Sequence, residues 1–136
     1  MKRLLLDTSG YSALLRGHVG VRDAVREADE IALTPIVLGE LRAGFAGSKR
    51  LARNEAQLSR FLASPRVVVL PIDDETASRY AVIFDGLRRA GTPLPLSDVW
   101  IAASAMQHGH AVLTTDHDFL RIPQIVTEQL DAGASR

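Results

Sequence analysis

The chain has 136 residues, 46% of them hydrophobic, and its sixteen basic residues are balanced by sixteen acidic ones. This length suits one compact domain, and the zero net charge excludes a general electrostatic attraction to nucleic acid or to an anionic membrane. The absence of cysteine excludes disulfides and thiolate metal sites, which is typical of proteins from a reducing compartment.

The basic N-terminus raises the question of a targeting segment. Lys2 and Arg3 precede an apolar run that stops at Leu6, far short of the roughly 7 to 15 residues of a signal-peptide core. Apolar stretches elsewhere in the chain are also shorter than the ~20 residues needed to cross a bilayer. We therefore expect a soluble, cytoplasmic protein with no membrane partner.

Short apolar runs predict the strands. Residues 4–6 are three leucines that end at Asp7, a pattern typical of a strand buried on both faces of a parallel sheet. Similar runs predict two more such strands, and weaker runs predict another two. In chain order these further strands are 31–33 (weak), 66–72, 111–115 and 125–126 (weak).

Helical periodicity fills the segments between these strands. Thr34 before Pro35 predicts a helix N-cap followed by proline at the first helical position, and Ser97 before Asp98 predicts a second N-cap. Strands that alternate with helices predict a parallel α/β domain. The predicted helices are 8–16, 20–29, 35–47, 50–63, 74–91 and 98–109.

Several acids stand at the ends of these elements. Asp7 follows the first strand, and Asp116 and Asp118 follow the strand at 111–115. Taken alone, Asp7 is explained as an N-cap, Asp116 and Asp118 as turn residues, and Asp98 as an acid that complements a helix dipole. In a parallel sheet, however, ligand sites lie beyond the carboxyl ends of the strands.

Glu40 has a less ordinary position. Its spacing from Val37 and Gly44 places all three on one helix face, which we expect to face the core. A carboxylate there must be paired, hydrogen-bonded or coordinated to a metal, because burying it alone costs several kcal/mol or forces protonation. The alternative is an edge position where Glu40 reaches water or pairs with Arg42.

Considered together, the acids indicate a shared site. They can converge only if the order of the strands brings their carboxyl ends together, and convergent carboxylates repel one another unless a cation neutralises them. Oxygen ligands without sulfur or paired histidines favour Mg²⁺ or Mn²⁺ over zinc. The chemistry that this indicates is phosphodiester or phosphoryl transfer at Asp7, Glu40, Asp98 and Asp116.

Four segments carry a resemblance to a known family. They are LLLDTSGYSALL, TPIVLGELRAG, PLPLSDVWIAASA and VLTTDHDF, and in this order and spacing they resemble the PIN-domain family, most closely the VapC-type toxins. The resemblance spans nearly the whole chain. It implies a three-layer α/β/α domain at residues 1–131, with a central, mainly parallel sheet of about four to five strands, and a flexible tail at 132–136.

The resemblance also assigns roles to residues. It implies that the catalytic, metal-binding acids are Asp7, Glu40, Asp98 and Asp116, with Asp118 as an auxiliary metal ligand. Hydroxyl groups near the metal or its water are implied at Thr8, Ser9 and Thr114.

The resemblance implies that the protein is a toxin whose activity is inhibited by a partner protein. It is an Mg²⁺- or Mn²⁺-dependent endoribonuclease that hydrolyses phosphodiester bonds in tRNA, rRNA or mRNA and is restrained by a cognate antitoxin. The implied assembly is a homodimer, or a hetero-oligomer with the antitoxin, that associates with DNA indirectly through the antitoxin.

A chain without net charge needs a local basic surface to attract RNA. Such a surface is predicted between residues 42 and 60, where Glu55 is the only acid. The alternative is a solvated helix face without a ligand. The candidate RNA-binding residues are Arg42, Lys49, Arg50 and Arg53, with Arg60 further along the same segment.

Other functions fit the residues less well. A phosphotransferase with Asp7 as nucleophile usually has a second acid two residues later, where this chain has Ser9. A non-catalytic acidic α/β binding or receiver-like module usually has adjacent acids after its first strand, where Asp7 stands alone. A PIN nuclease that acts in RNA processing without an antitoxin stays open.

Overall fold

A five-stranded parallel sheet forms the centre of the computed structural model, which describes residues 1–133. Each strand pairs with its neighbours in parallel, in the spatial order third, second, first, fourth and fifth. The predicted fold class is thereby confirmed. The strands are β1 (Arg3–Leu6), β2 (Glu30–Leu33), β3 (Val67–Val69), β4 (Ala111–Thr114) and β5 (Thr127–Gln129).

Six helices cover the two faces of this sheet. Because crossovers between parallel strands are right-handed, the connections from β1 to β2 and from β2 to β3 place the first four helices on one face, and the return from β3 to β4 places the last two on the other. The helices are α1 (Thr8–Leu15), α2 (Val19–Glu27), α3 (Pro35–Ala46), α4 (Leu51–Leu62), α5 (Asp74–Ala90) and α6 (Leu96–His108), and a 3-10 helix (His117–Arg121) follows β4.

The first strand lies at the centre of the core. Leu4, Leu5 and Leu6 are fully buried, so the prediction of a strand covered on both faces is confirmed for β1. It is wrong for the strand expected at 66–72. That strand spans only Val67–Val69 at the sheet edge, Val69 is 45% exposed, and Pro71 offers no N–H for further pairing.

The final strand also differs from the prediction. It forms at Thr127–Gln129 and not at 125–126, because β4 pairs in the register Val112 to Thr127. Val126 just before it is 68% exposed. This strand lies at the edge of the sheet beside β4. Its residues are therefore only partly buried and can be polar.

The two predicted helix caps have different outcomes. Thr34 is an N-cap, since its Oγ1 accepts a 3.3 Å hydrogen bond from the backbone N–H of Val37, with Pro35 at the first helical position. The cap predicted at Ser97 is wrong, because α6 begins at Leu96, two residues before the predicted start at 98. The extended backbone of Pro95 starts that helix without a side-chain cap.

The remaining expectations concern the ends of the chain and membranes. The boundary at residue 131 stays a prediction, and most of the predicted tail, residues 134–136, lies outside the described residues. Ala132 and Gly133 form a turn. Among the helices of residues 1–133, none combines the length and the hydropathy that a bilayer crossing requires.

Candidate active site at the carboxyl edge of the sheet

The pairing of β1 with β4 places Asp7 beside Thr114. Leu6 aligns with Leu113, so the next residue of each strand lies at the same carboxyl edge of the sheet. Asp7 caps α1 there, because its Oδ1 accepts a 2.7 Å hydrogen bond from the backbone N–H of Gly10. The N-cap interpretation and the position at the carboxyl end of a strand are therefore both correct.

The Asp7 carboxylate is buried, with 4% of the residue exposed, and hydroxyl groups surround it. Thr114 Oγ1 donates to Oδ2 at 2.7 Å, and Ser9 Oγ lies 2.9 Å from each carboxylate oxygen. Burial raises the pKa of Asp7, and the negative charge of Asp116 adds to this, while the three donors only partly oppose it. Asp7 is thus held in one orientation by the residues directly around it.

Gly10 lets α1 approach β4 closely enough for this network. A Cβ built on Gly10 would lie 2.4 Å from the backbone oxygen of Leu113 and 3.2 Å from Asp7 Oδ1. Any side chain here must push the helix away from the strand or move the carboxylate. The sequence interpretation missed this residue, and its only signal is a glycine inside an otherwise good helical segment.

Three acids come together beyond Asp7. Asp98, from the first turn of α6, has a carboxylate oxygen within 4.8 Å of oxygens from Asp116 and Asp118. The turn after β4 fixes the latter two, since Asp116 Oδ1 accepts from the Asp118 N–H at 2.9 Å. Thr114 Oγ1 accepts from the Asp116 N–H at 2.8 Å, so the turn is joined to the Asp7 network.

The pKa of Asp98 reflects its burial and the charges of the other acids. Burial and the negative charges around it raise this pKa to about 7. The charges act in the order Asp116, Asp7, Asp118 and Glu40. Burial and the neighbouring negative charges therefore both favour the protonated form of Asp98.

Glu40 lies on the surface, so the expectation that it faces the core is wrong. Val37 and Leu41 are the buried residues of α3, and Glu40 is exposed. Its Oε1 accepts a 2.6 Å hydrogen bond from Thr8 Oγ1 at the start of α1. This bond keeps Glu40 on the same edge of the sheet as the other acids, where its charge reaches Asp98.

The donor set fits a hard divalent cation. Asp98, Asp116 and Asp118 present oxygen atoms at a mutual spacing that one ion can bridge, and no sulfur or imidazole is among them. Such a cation would offset the negative charges that contribute to the raised pKa of Asp98. Asp7 and Glu40 are near enough to act on Asp98 without belonging to this tight group of three.

The predicted RNA-binding residues lie around the turn between α3 and α4. Arg42 forms a 3.5 Å ion pair with Glu55, which offsets its charge. Lys49, Arg50 and Arg53 are exposed, and within residues 1–133 none of their side chains forms an ion pair. Their role in RNA binding stays a prediction.

Comparison with known proteins agrees with this arrangement. A family model described as PIN domain matches residues 4–125. The chain belongs to the PIN domain family.

Individual members of the family are similar over nearly their whole length. Ribonuclease VapC4 of Mycobacterium tuberculosis is 30% identical over 130 residues, which cover 92% of this chain and 95% of that protein. The DNA-bound VapBC structure from Salmonella typhimurium matches with a TM-score of 0.80 and 30% identity, over 95% of this chain and 98% of that one.

A third match is another VapBC structure. VapBC-5 from Mycobacterium tuberculosis, a member of the VapBC family of toxin-antitoxin systems, gives a TM-score of 0.76 and 26% identity. The match covers 96% of this chain and 100% of that one. The PIN-like fold and the recognised family are thus confirmed together.

Proposed function

We propose that this protein is an endoribonuclease that depends on a divalent metal ion and is the toxin of a toxin–antitoxin pair. The observation that carries the proposal is the convergence of Asp98, Asp116 and Asp118 within 4.8 Å at the edge of the sheet where Asp7 is buried. Membership of the PIN domain family and the ribonuclease name of VapC4 support an RNA substrate.

In this proposal Mg²⁺ or Mn²⁺ is held by Asp98, Asp116 and Asp118, with Asp7 and Glu40 completing the acidic surroundings. The chemistry that such an ion supplies when bound is activation of water and neutralisation of phosphate charge. Hydroxyl groups of the chain orient two of these acids. Thr114 and Ser9 keep Asp7 in one orientation, and Thr8 holds Glu40 toward the site.

Binding of the RNA backbone falls to residues outside the acids. Lys49, Arg50 and Arg53 offer exposed positive charge, and we infer that they contact phosphates of the substrate. Arg42 contributes less in this proposal, because Glu55 already pairs with it. An RNA substrate also indicates that the protein acts in the cytoplasm.

We infer further that a cognate antitoxin restrains the enzyme, in an assembly with one or two copies of this chain. VapBC-5 is described as a member of the toxin-antitoxin systems, and the Salmonella typhimurium VapBC structure is DNA-bound. By analogy, this chain associates with DNA through its antitoxin and does not need a DNA-binding surface of its own.

The test is cleavage of RNA by the purified protein, free of antitoxin, in EDTA, Mg²⁺ or Mn²⁺. We expect cleavage only with a divalent ion, and none by Asp98→Asn. A matched control is Asp23→Asn, which removes an exposed acid of α2 and should leave cleavage unchanged. If the wild-type protein leaves RNA intact in both metals, the nuclease function is wrong.

Thermal melting tests metal binding independently of RNA cleavage. Mg²⁺ should raise the melting temperature of the wild-type protein, since a ligand that binds only the folded state stabilises it, and should raise that of Asp98→Asn much less. An equal shift in both proteins would contradict the proposed metal ligands.

A further inference from the structure

A groove of about 180 Å³ lies between α5 and the segment that follows the 3-10 helix. It is separate from the basic residues at the turn between α3 and α4. Its walls come from two parts of the chain that the sequence interpretation did not connect with function. The lining residues are Gly86, Leu87, Ala90, Arg121, Pro123 and Gln124.

Arg121 connects this groove to the acids. Its Nη1 lies 3.9 Å from Asp118 Oδ1, and Asp118 belongs to the group of three acids within 4.8 Å. A separation of 3.9 Å is too long for a hydrogen bond, and the Arg121 side chain is 58% exposed. Within residues 1–133 its guanidinium donates no hydrogen bond to the protein, so its donors can reach a ligand.

The walls of the groove suit a nucleobase. Leu87 is buried and forms an apolar floor, and Pro123 adds an apolar side. The amide of Gln124 has both donors and an acceptor for the polar edge of a base. Sequence-specific recognition of RNA mainly targets single-stranded loops, whose bases stack on aromatic side chains or arginine planes and hydrogen-bond through their edges. Arg121 offers such a plane in this groove.

Gly86 keeps the groove open. A Cβ at this position would make an ordinary van der Waals contact with Gln124 Nε2 at 3.5 Å, so a longer side chain would extend into the groove. Glycine inside a helix is less stabilising than alanine. The helix thus has its weakest residue where a larger one would close the groove.

We propose that Arg121 and this groove form a nucleotide subsite beside the acid cluster. Arg121 binds an RNA phosphate next to the scissile one, and the groove takes the attached base. The subsite rests on the proposed ribonuclease function, because its position matters through the acids that it adjoins.

Binding can be measured without cleavage. In the Asp98→Asn background, a fluorescein-labelled RNA hairpin is titrated at several salt concentrations and followed by anisotropy. Arg121→Gln should weaken binding about tenfold, since a hydrogen bond to a charged group is lost. The slope of log K against log salt should fall by about 0.7, the value for one phosphate contact of a single strand.

Two further variants make the result specific. Gly86→Leu should weaken binding by filling the groove while leaving the salt slope unchanged, and its better helix propensity protects the fold. Arg26→Gln is the matched control, because Arg26 forms an equivalent pair with Asp23 at a spacing of three residues and a distance of 3.6 Å. It should bind RNA as the parent does.

Kinetics of the cleaving protein add a second readout. Arg121→Gln should raise KM with little change in kcat, as expected when binding energy is lost equally from substrate and transition state. Equal RNA binding by Arg121→Gln and Arg26→Gln would overturn the subsite. The subsite would also be overturned if Arg121→Gln bound RNA normally but lost binding to labelled poly-glutamate, because the groove would then bind an acidic protein segment.

Failure of the subsite and failure of the proposed function give different results. RNA binding that depends on Arg121 in a protein that never cleaves contradicts the nuclease and keeps the subsite. Metal-dependent cleavage together with RNA binding that is unchanged in Arg121→Gln supports the nuclease and contradicts the subsite.

Discussion

Thr114 donates a 2.7 Å hydrogen bond from Oγ1 to Oδ2 of Asp7, across a sequence separation of 107 residues. The same oxygen accepts a 2.8 Å hydrogen bond from the backbone N–H of Asp116. One buried hydroxyl therefore fixes two acids that come from opposite ends of the chain. The bond exists only because β1 and β4 are neighbours in the sheet.

Replacing Thr114 by valine tests this link, because valine keeps the shape and removes the hydroxyl. The buried Asp7 carboxylate and the partly buried Asp116 N–H then each lose a hydrogen bond, and we expect the free energy of unfolding to fall by about 1–3 kcal/mol in urea titrations. RNA cleavage should fall as well. Thr114→Ser retains the hydroxyl and should recover most of both quantities; equal stability of the valine and serine variants would argue against the link.

The raised pKa of Asp98 makes stability depend on pH. The pKa is about 7 in the folded protein against 3.8 for an ordinary aspartate, so the folded state binds more protons between these values. The contribution of Asp98 therefore stabilises the fold below about pH 4 and is lost as the pH rises through about 7.

Asp98→Asn cannot titrate and isolates this effect. In EDTA, the melting temperature of the variant should exceed that of the wild-type protein by an amount that grows from about pH 4 to about pH 8 and then levels off. The measurement is a series of thermal melts across this range. A difference that stays constant with pH would show that Asp98 does not have the raised pKa.

The exposed arginines after the α3–α4 turn should govern the salt dependence of RNA binding. Arg50→Gln combined with Arg53→Gln should lower the slope of log K against log salt by about 1.4, or 0.7 for each phosphate contact. The matched control, Arg16→Gln with Arg22→Gln, removes two exposed arginines, one just after α1 and one in α2. Equal slopes for both double variants would favour a solvated helix face.

Gly10 and Gly44 give opposite predictions for the same substitution. Gly10→Ala places a Cβ 2.4 Å from the Leu113 oxygen, so we expect a loss of about 1–3 kcal/mol from overpacking, with lower cleavage as Asp7 moves. Gly44→Ala meets nothing within 4 Å and should stabilise α3 by up to about 1 kcal/mol. Urea unfolding measures both, and a neutral Gly10→Ala would disprove the close contact.

The sequence predicted the elements that rest on local patterns. Three leucines before Asp7 are a sufficient signal for β1, and Thr34 before Pro35 is a sufficient signal for the start of α3. These features depend on hydrophobic burial and on capping, which act between near neighbours. The sequence did not predict the adjacency of β1 and β4, because nothing local encodes the order of strands.

Where the sequence interpretation failed, the missing information was tertiary. The face of Glu40 was assigned partly from Gly44, but glycine has no side chain to bury and does not mark a core face. Ser97 is a good cap residue, yet the backbone of Pro95 had already begun the helix. Arg121 has no motif, and its relation to the groove appears only when α5 lies against the segment after the 3-10 helix.

The order of the strands has a consequence for synthesis of the chain. Asp7 leaves the ribosome early, but its partner Thr114 and the acids Asp116 and Asp118 come from the last quarter of the sequence. Translation runs from the N-terminus, and domains fold largely as units. A nascent chain that ends before β4 lacks Asp116 and Asp118, so the proposed nuclease site is complete only after β4 and the turn that follows it have been synthesised.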